Sequence, residues 1–345
     1  MEKISTGFIA QNINSLHKPG VLQEMKRLYL QEIEKFFIRN VRGEKFLRED
    51  VCVTVPCPIC GSGKDHGEFA VKINGFDHLR CQVCKNIYVT PRLKDEYVWE
   101  QYSRPSYTYM FKNLIEDTLS FRKDVIAYGK FKWVTRRLTN PNAKSLLDIG
   151  SGLGENLAVY KDHGWEVAGI EFNEYAAQKS RELFGVTVFN TPIEKAKLPR
   201  DQFDVITMWG VLEHLTEPVK VLNEILKHLI PGGVLVFMVP QFNCLLSSYL
   251  RDYPEDADRL LDGDKHITVF TKEGIEYLAR TVGLGVIDIV SRGLDLTSLL
   301  EYLEDEKETR LYQLIKKELP TLQRGIEEVG FGDGLWAMLV KPQSA

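Results

Sequence analysis

Ser145-Leu-Leu-Asp-Ile-Gly-Ser-Gly-Leu-Gly-Glu-Asn156 decides the fold of this chain. Leu146, Leu147 and Ile149 read as a short apolar strand, Gly150 to Gly154 as a tight turn, and Asn156 to Lys161 as a helix. A strand, a glycine turn and a helix N-terminus in succession let backbone approach a ligand closely, because no Cβ intervenes. They are expected to present free N–H groups there. Asp148, just ahead of the turn, can accept hydrogen bonds from an ammonium or a hydroxyl.

Working outward, the spacing is G-x-G-x-G, with Glu155 where the last glycine of a dinucleotide fingerprint would stand. A second strand, Glu166-Val-Ala-Gly-Ile-Glu171, ends in an acid about 20 residues past the turn, where such folds grip ribose hydroxyls. Phe203-Asp-Val-Ile-Thr-Met-Trp-Gly-Val-Leu-Glu-His-Leu215 follows, then Pro231-Gly-Gly-Val-Leu-Val-Phe-Met238. Strands alternate with helices from residue 143 on, which indicates an α/β fold with a parallel sheet and helices on both faces. Asn173 is placed to cap the second helix and Gly185 to stop it; Thr271 is placed to cap a later one. Pro231-Gly232-Gly233 is expected to end the helix that Pro218 begins.

The motifs LLDIGSGLG, GIE, FDVITMWGVLEHL and LIPGGVLVFMVP, in that order, resemble the class I S-adenosylmethionine-dependent methyltransferases over roughly residues 143–290. The resemblance implies a Rossmann-like seven-stranded sheet, with Gly332 to Lys341 as the terminal antiparallel strand. It implies a cofactor site at Asp148, Gly150, Ser151, Gly152, Gly154, Glu171 and Phe172. Ile193 would lie against the adenine, and Glu194 would face its exocyclic amine in place of a more frequent aspartate. Trp209 is a candidate wall for the cationic sulfonium, and equally a plain core tryptophan. His214 and His266 are the candidate general bases or substrate anchors, with Glu213 beside His214.

Upstream, Cys57-Pro-Ile-Cys60 and Cys81-Gln-Val-Cys84 form C-x2-C-x20-C-x2-C, the pattern of a zinc ribbon. Two such knuckles facing each other make a closed four-thiolate site whose metal supplies folding energy to a small unit. Cys52 and Cys244 fall outside it. Residues 51–94 carry six basic and three acidic residues, far less positive than modules that track phosphate backbones. Tyr102, Tyr107 and Tyr109 follow, and this arrangement resembles the zinc-binding N-terminal segment of bacterial sugar and small-molecule methyltransferases. In that group the tyrosine-rich segment lies over the cofactor pocket.

The expected organisation is a helical segment at 1–50, the ribbon at 51–92, a helical linker or lid at 93–142 and the methyltransferase unit at 143–345, with insertions at 240–266 and 297–328. The ribbon and the larger unit are each expected to have their own core. The formal net charge of −4 and the acidic 240–266 insertion disfavour a nucleic-acid substrate. No apolar run approaches the roughly 18 residues of a membrane span. The N-terminus lacks a signal-like apolar core, so a cytoplasmic enzyme is expected. A small-molecule acceptor is expected: a sugar nucleotide, a glycan intermediate or a secondary metabolite. An RNA base methyltransferase with a ribbon head, and a non-catalytic binding protein on the same scaffold, are the competing readings.

Overall fold

The structure, a computed structural model, describes residues 20–254, 260–303 and 309–343. Its centre is a seven-stranded sheet. In chain order its strands are β4 (Ser145–Ile149), β5 (Glu166–Ile170), β6 (Thr187–Phe189), β7 (Phe203–Trp209), β8 (Leu229–Pro240), β10 (Gly285–Arg292) and β11 (Gly334–Val340). Across the sheet they run β6-β5-β4-β7-β8-β11-β10. The first five are parallel, while β11 inserts antiparallel between β8 and β10. Leu146 and Leu147 of β4, Val205 and Ile206 of β7 and Leu235 to Phe237 of β8 have no solvent exposure. Such near-continuous apolar strands are what a sheet covered on both faces requires.

The connecting helices start and stop where the side chains allow. Asn173 accepts from Ala176 N at 3.0 Å and caps α3 (Glu174–Phe184), which ends on left-handed Gly185. Thr271 accepts from Gly274 N and caps α5 (Lys272–Thr281). The helix begun by Pro218, α4, ends at Ile225, well short of Pro231-Gly232-Gly233. Those three residues lie inside β8, in a bulge where its pairing with β7 jumps from Phe203–Leu229 to Val205–Val234. Proline and glycine are tolerated in a strand where the ladder is interrupted.

A second sheet of four strands caps one side of the molecule. It is built from β1 (Gly67–Ile73), β2 (Phe76–Cys81), β3 (Ile87–Val89) and β9 (Thr268–Val269), in the order β9-β3-β2-β1. Its outermost strand comes from 180 residues further along the chain, so the ribbon is not closed within residues 51–92. Asn86 joins the two: its Oδ1 accepts from Thr271 N at 3.2 Å, and a Cβ on Gly274 would lie 1.7 Å from that atom. The expectation of two separate cores also gives way. Cys57, Ile59, Leu79 and Tyr88 share one buried apolar cluster with Leu147, Phe237 and Phe270 of the larger unit.

Helix α1 (Val21–Glu34) precedes the ribbon, and a chain of helical turns runs from Pro105 to Thr135, including π-helical turns at Phe111–Ile115 and Arg122–Ala127; its end packs Trp133 and Val134 with Leu146 and Val205. The helix α2 (Glu155–Asp162) follows the glycine turn, with Asn156 to Tyr160 all buried. The 240–266 insertion contains a helix at Leu245–Asp252, and 297–328 resolves into helices at Asp295–Tyr302 and Arg310–Glu328. Among the described residues no helix is long and apolar enough to cross a membrane.

Candidate active site

Strand β4 delivers the glycine turn to the carboxyl edge of the sheet, where ligands of open α/β folds bind. Gly150, Gly152 and Gly154 all have positive φ, at 73°, 55° and 85°. A Cβ on Gly154 would sit 2.0 Å from Ser180 Oγ, so this glycine is demanded by packing against α3. On Gly152 a Cβ would meet only Phe111, at 3.5 Å; this part of the turn faces the aromatic segment.

The turn does not offer the row of free N–H groups that the sequence suggests. Gly150 N and Ser151 N both donate to Ile170 O, at 2.8 and 3.0 Å, and Gly154 N donates to Ser151 O. Gly152 N donates to Glu171 Oε2 at 2.8 Å, and Asn173 N donates to Glu171 Oε1 at 2.7 Å. Glu171 is therefore buried and fixed by one backbone donor on each oxygen, with lone pairs left for hydroxyl donors. Burial raises its pKa, and the N–H groups of Asn173, Gly152 and Phe172 oppose the rise.

Above Glu171 stands an aromatic wall. Phe172 packs on Trp99 and Tyr102, with centroids 5.4 and 5.7 Å away, and Tyr102 continues edge-on to Tyr107 and Phe111. Burial pushes the Tyr102 and Tyr107 hydroxyls up, and the carboxylates of both Glu171 and Glu213 push them further. These two tyrosines thus sit within the field of both acids. The tyrosine segment is held by Asn173, whose Nδ2 donates to Tyr102 O at 2.9 Å.

Other residues of the expected cofactor site are placed differently. Asp148 is buried beneath the turn, where it accepts from Thr207 Oγ1 at 2.5 Å. Burial pushes its pKa up to about 6 against that hydrogen bond, so this carboxylate supports the turn from below. Ser151 Oγ is buried against β5: a Cβ on Gly169 would lie 2.7 Å from it. Trp209 stands edge-on to Trp336, with Lys130 Nζ 4.5 Å from its ring centre, in the core on the helix-covered face. Partly buried against this core cluster, it points from β7 to the same face as Thr207, two residues earlier. Ile193 is buried in the main core cluster, and the side chain of Glu194 lies outside the described residues.

After β7 the chain turns through Gly210 and a short helical turn, Leu212–His214. Burial pushes the Glu213 carboxyl up to about 8, and Glu213 Oε2 has no hydrogen-bond partner. His214 Nδ1 lies 2.9 Å from Lys265 O, and burial lowers its pKa to about 3. The His214 and His266 rings are 5.0 Å apart. Both candidate histidines therefore meet at one place, on two segments separated by 51 residues. Around them is a charged set that no spacing in the sequence announces: Lys265 pairs with Asp262 at 3.1 Å, Arg104 with Asp264 at 3.4 Å, and Tyr29 OH donates to Asp264. Asp262 and Asp264 were visible only as two acids among several in an insertion.

The four ribbon cysteines converge. Cys57 and Cys84 sulfurs are 3.4 Å apart, Cys60 and Cys81 sulfurs 3.5 Å, and all four lie within 4.8 Å of one another. The residue after each pair, Gly61 or Lys85, has positive φ and donates its N–H back to Cys57 O or Cys81 O. The two knuckles thus have the same geometry. Sulfurs at this separation fit around one tetrahedral ion with metal–sulfur bonds of about 2.3 Å. A separate cleft of about 650 Å³ opens between ribbon and α4, lined among others by Pro56, Pro58, Arg92, Lys220 and Ile267.

Residues 121–289 match the family model described as a methyltransferase domain. The chain carries a methyltransferase domain. The match spans α2 to α5 and strands β4 to β9, running into β10, and so includes Glu171, His214 and His266. The chain is 31% identical over 114 residues to a ubiquinone biosynthesis O-methyltransferase of Pseudomonas fluorescens strain SBW25, covering 31% of this chain and 49% of the relative. It is 26% identical over 128 residues to a trans-aconitate 2-methyltransferase of Azoarcus sp. strain BH72, covering 36% and 46%. The chain spans about half the length of the curated relatives it matches. Among solved structures, the plantazolicin methyltransferase BpumL in complex with SAH covers 72% of this chain and 95% of its own, at 16% identity and a TM-score of 0.49. The ribbon, at 51–92, lies outside the matched methyltransferase domain.

Proposed function

We propose that the chain transfers a methyl group from S-adenosylmethionine to a small molecule. The observation that carries this reading is Glu171, buried and oriented by Gly152 N and Asn173 N, under an aromatic wall that reaches Glu213. When bound, the cofactor supplies an electrophilic methyl on a cationic sulfur; the chain's residues bind, orient and keep water out. Glu171 would take the ribose hydroxyls, and Phe172, Tyr102 and Tyr107 would cover the cofactor. His214 and His266 would face the acceptor as base or anchor. The expected acceptors remain a sugar nucleotide, a glycan intermediate or a secondary metabolite. The names of the two curated relatives, ubiquinone biosynthesis O-methyltransferase and trans-aconitate 2-methyltransferase, support a small acceptor over a nucleic acid.

The ribbon cysteines Cys57, Cys60, Cys81 and Cys84 would hold one structural zinc. All four positions are taken by thiolates, so no site on that ion is open to an acceptor. It would fix the two knuckles, and through Asn86 and Thr271 the start of α5.

Calorimetry with S-adenosylhomocysteine tests the cofactor assignment, and methyl transfer from labelled S-adenosylmethionine to a panel of sugar nucleotides and phenolic or carboxylic metabolites tests the acceptor class. His214→Ala and His266→Ala should each lower turnover about 10²–10⁴-fold with cofactor affinity kept, as expected of acid–base groups. A rise in KM alone would make the residue an anchor. No binding of S-adenosylhomocysteine by the intact chain would refute the reading.

A further inference from the structure

The two histidines share an orientation that suits a metal ligand as well as a general base. His214 Nδ1 lies 2.9 Å from Lys265 O, and His266 Nδ1 lies 3.0 Å from Leu260 O. A carbonyl oxygen only accepts, so each ring carries a proton on Nδ1, and neutral His214 keeps its lone pair on Nε2. Metal-binding histidines are oriented in this manner, with the second ring nitrogen donating to a main-chain carbonyl or a carboxylate. His214 Nε2 is 3.9 Å from Glu213 Oε1. One donor atom from each of Glu213, His214 and His266 lies within 4.8 Å of the other two.

The second, independent observation is Glu213 itself. Its side chain is 4% exposed, and its other oxygen, Oε2, has no hydrogen-bond partner. A buried carboxylate oxygen with no donor is costly unless a cation accompanies it. The nearby cations are committed elsewhere: Lys265 to Asp262 at 3.1 Å, and Arg104 to Asp264 at 3.4 Å. His266 Nδ1 also lies 3.3 Å from Asp262 Oδ1, so a second buried carboxylate orients that ring.

We propose that Glu213, His214 and His266 bind a divalent transition-metal ion, a site distinct from the four-cysteine ribbon. Two imidazoles and one carboxylate suit a borderline ion such as Zn²⁺, Co²⁺, Ni²⁺ or Fe²⁺ better than Mg²⁺ or Ca²⁺, which prefer all-oxygen shells. Three protein ligands leave positions open, unlike the closed ribbon site. The proposal deepens the methyl-transfer reading and rests on it only for the ion's role, which is to hold an oxygen of the acceptor and favour its ionised form. It decides between the two roles considered for the histidines: they anchor the acceptor through the ion.

The test uses the full-length chain, purified with its ribbon metal in place, and Co²⁺ as the probe. Wild type should take up one saturable equivalent of cobalt with weak visible absorption and no intense thiolate-to-metal band. Glu213→Gln, which keeps the shape of the side chain, and His266→Ala should each weaken this uptake at least tenfold while S-adenosylhomocysteine still binds. No saturable uptake by wild type, uptake showing only thiolate bands, or uptake unchanged in both variants would overturn the assignment. Cobalt uptake by a chain that does not bind S-adenosylhomocysteine would uphold the metal site and sink the methyl-transfer reading, so the two fail separately.

Discussion

Arg104 and Asp264 form a buried ion pair at 3.4 Å, with side chains 3% and 1% exposed. It ties the start of the tyrosine segment to the insertion that carries His266. Tyr29 OH, from α1, donates to the other oxygen of Asp264 at 2.5 Å, so three segments far apart in the chain meet on one carboxylate. The Arg104 guanidinium also lies 5.4 Å from the centre of the Phe36 ring.

Replacing Arg104 with Met would take from buried Asp264 its guanidinium partner, leaving the Tyr29 hydroxyl and the nearby Lys265 charge. Breaking a buried pair from one side costs about 3–5 kcal/mol. Arg104→Met should therefore lower the midpoint of urea unfolding by an amount of that size, and loosen the cover over the cofactor. A variant as stable as wild type would show that the pair is not formed in solution.

Glu171→Ala should weaken S-adenosylhomocysteine binding by about 1.5–3 kcal/mol, the range for hydrogen bonds to a charged group. The loss has two sources here, because the variant also frees Gly152 N and Asn173 N. Glu171→Gln should recover part of it, since the amide oxygen can still accept one of these bonds. Calorimetry on both variants checks the order wild type, Gln, Ala.

Metal analysis should find zinc bound at the ribbon, and Cys84→Ser should remove it. Chelation should do more than unfold the ribbon. Strand β9 pairs with β3, and Thr271 Oγ1 donates to Lys85 O at 3.3 Å, so losing the knuckles disturbs the start of α5 and the neighbouring His266. Methyl transfer and thermal stability should therefore fall together on treatment with a strong chelator. Full activity in zinc-free protein would contradict this coupling.

A buried acid group far from these sites sets a pH dependence. Glu327 is pushed up to about 7, first by burial and against the attraction of Arg292; neighbouring Asp295 is pushed up to about 6, by burial and by the Asp333 charge. Both pKa values are raised on folding, so the folded chain binds more protons than the unfolded one. Stability then falls as pH rises from the ordinary carboxylate range through about 7. Glu327→Gln should remove part of that fall, raising stability at pH 8 relative to wild type by on the order of 1 kcal/mol and changing little at pH 5. Thermal melts of both proteins across this range measure the difference; parallel curves would exclude Glu327 as the titrating group.

The parallel order of strands, the helix caps at Asn173 and Thr271, the cysteine knuckles and the position of Glu171 were legible from the residues. Each follows from local chemistry: an apolar run of strand length, a capping side chain, a C-x-x-C turn, an acid at the end of a strand. The roles of Asp148 and Trp209 were not. Alternation puts Trp209 on one face of β7 with Val205, but only the packing of the helix carrying Lys130 shows what covers that face. Nor did Pro231-Gly232-Gly233 show by itself that it would bulge inside a strand rather than end a helix.

The sequence by itself determined the glycine turn, the buried strands and the four thiolates, because each of these depends on residues close together in the chain. Only the tertiary structure decided that His214 and His266 lie together with Glu213, and that Asp264 meets Arg104 and Tyr29. Those contacts join segments 51 to 235 residues apart. They exist because β9 completes the ribbon sheet and draws the insertion across the carboxyl edge, a pairing that a two-residue strand cannot signal in one dimension.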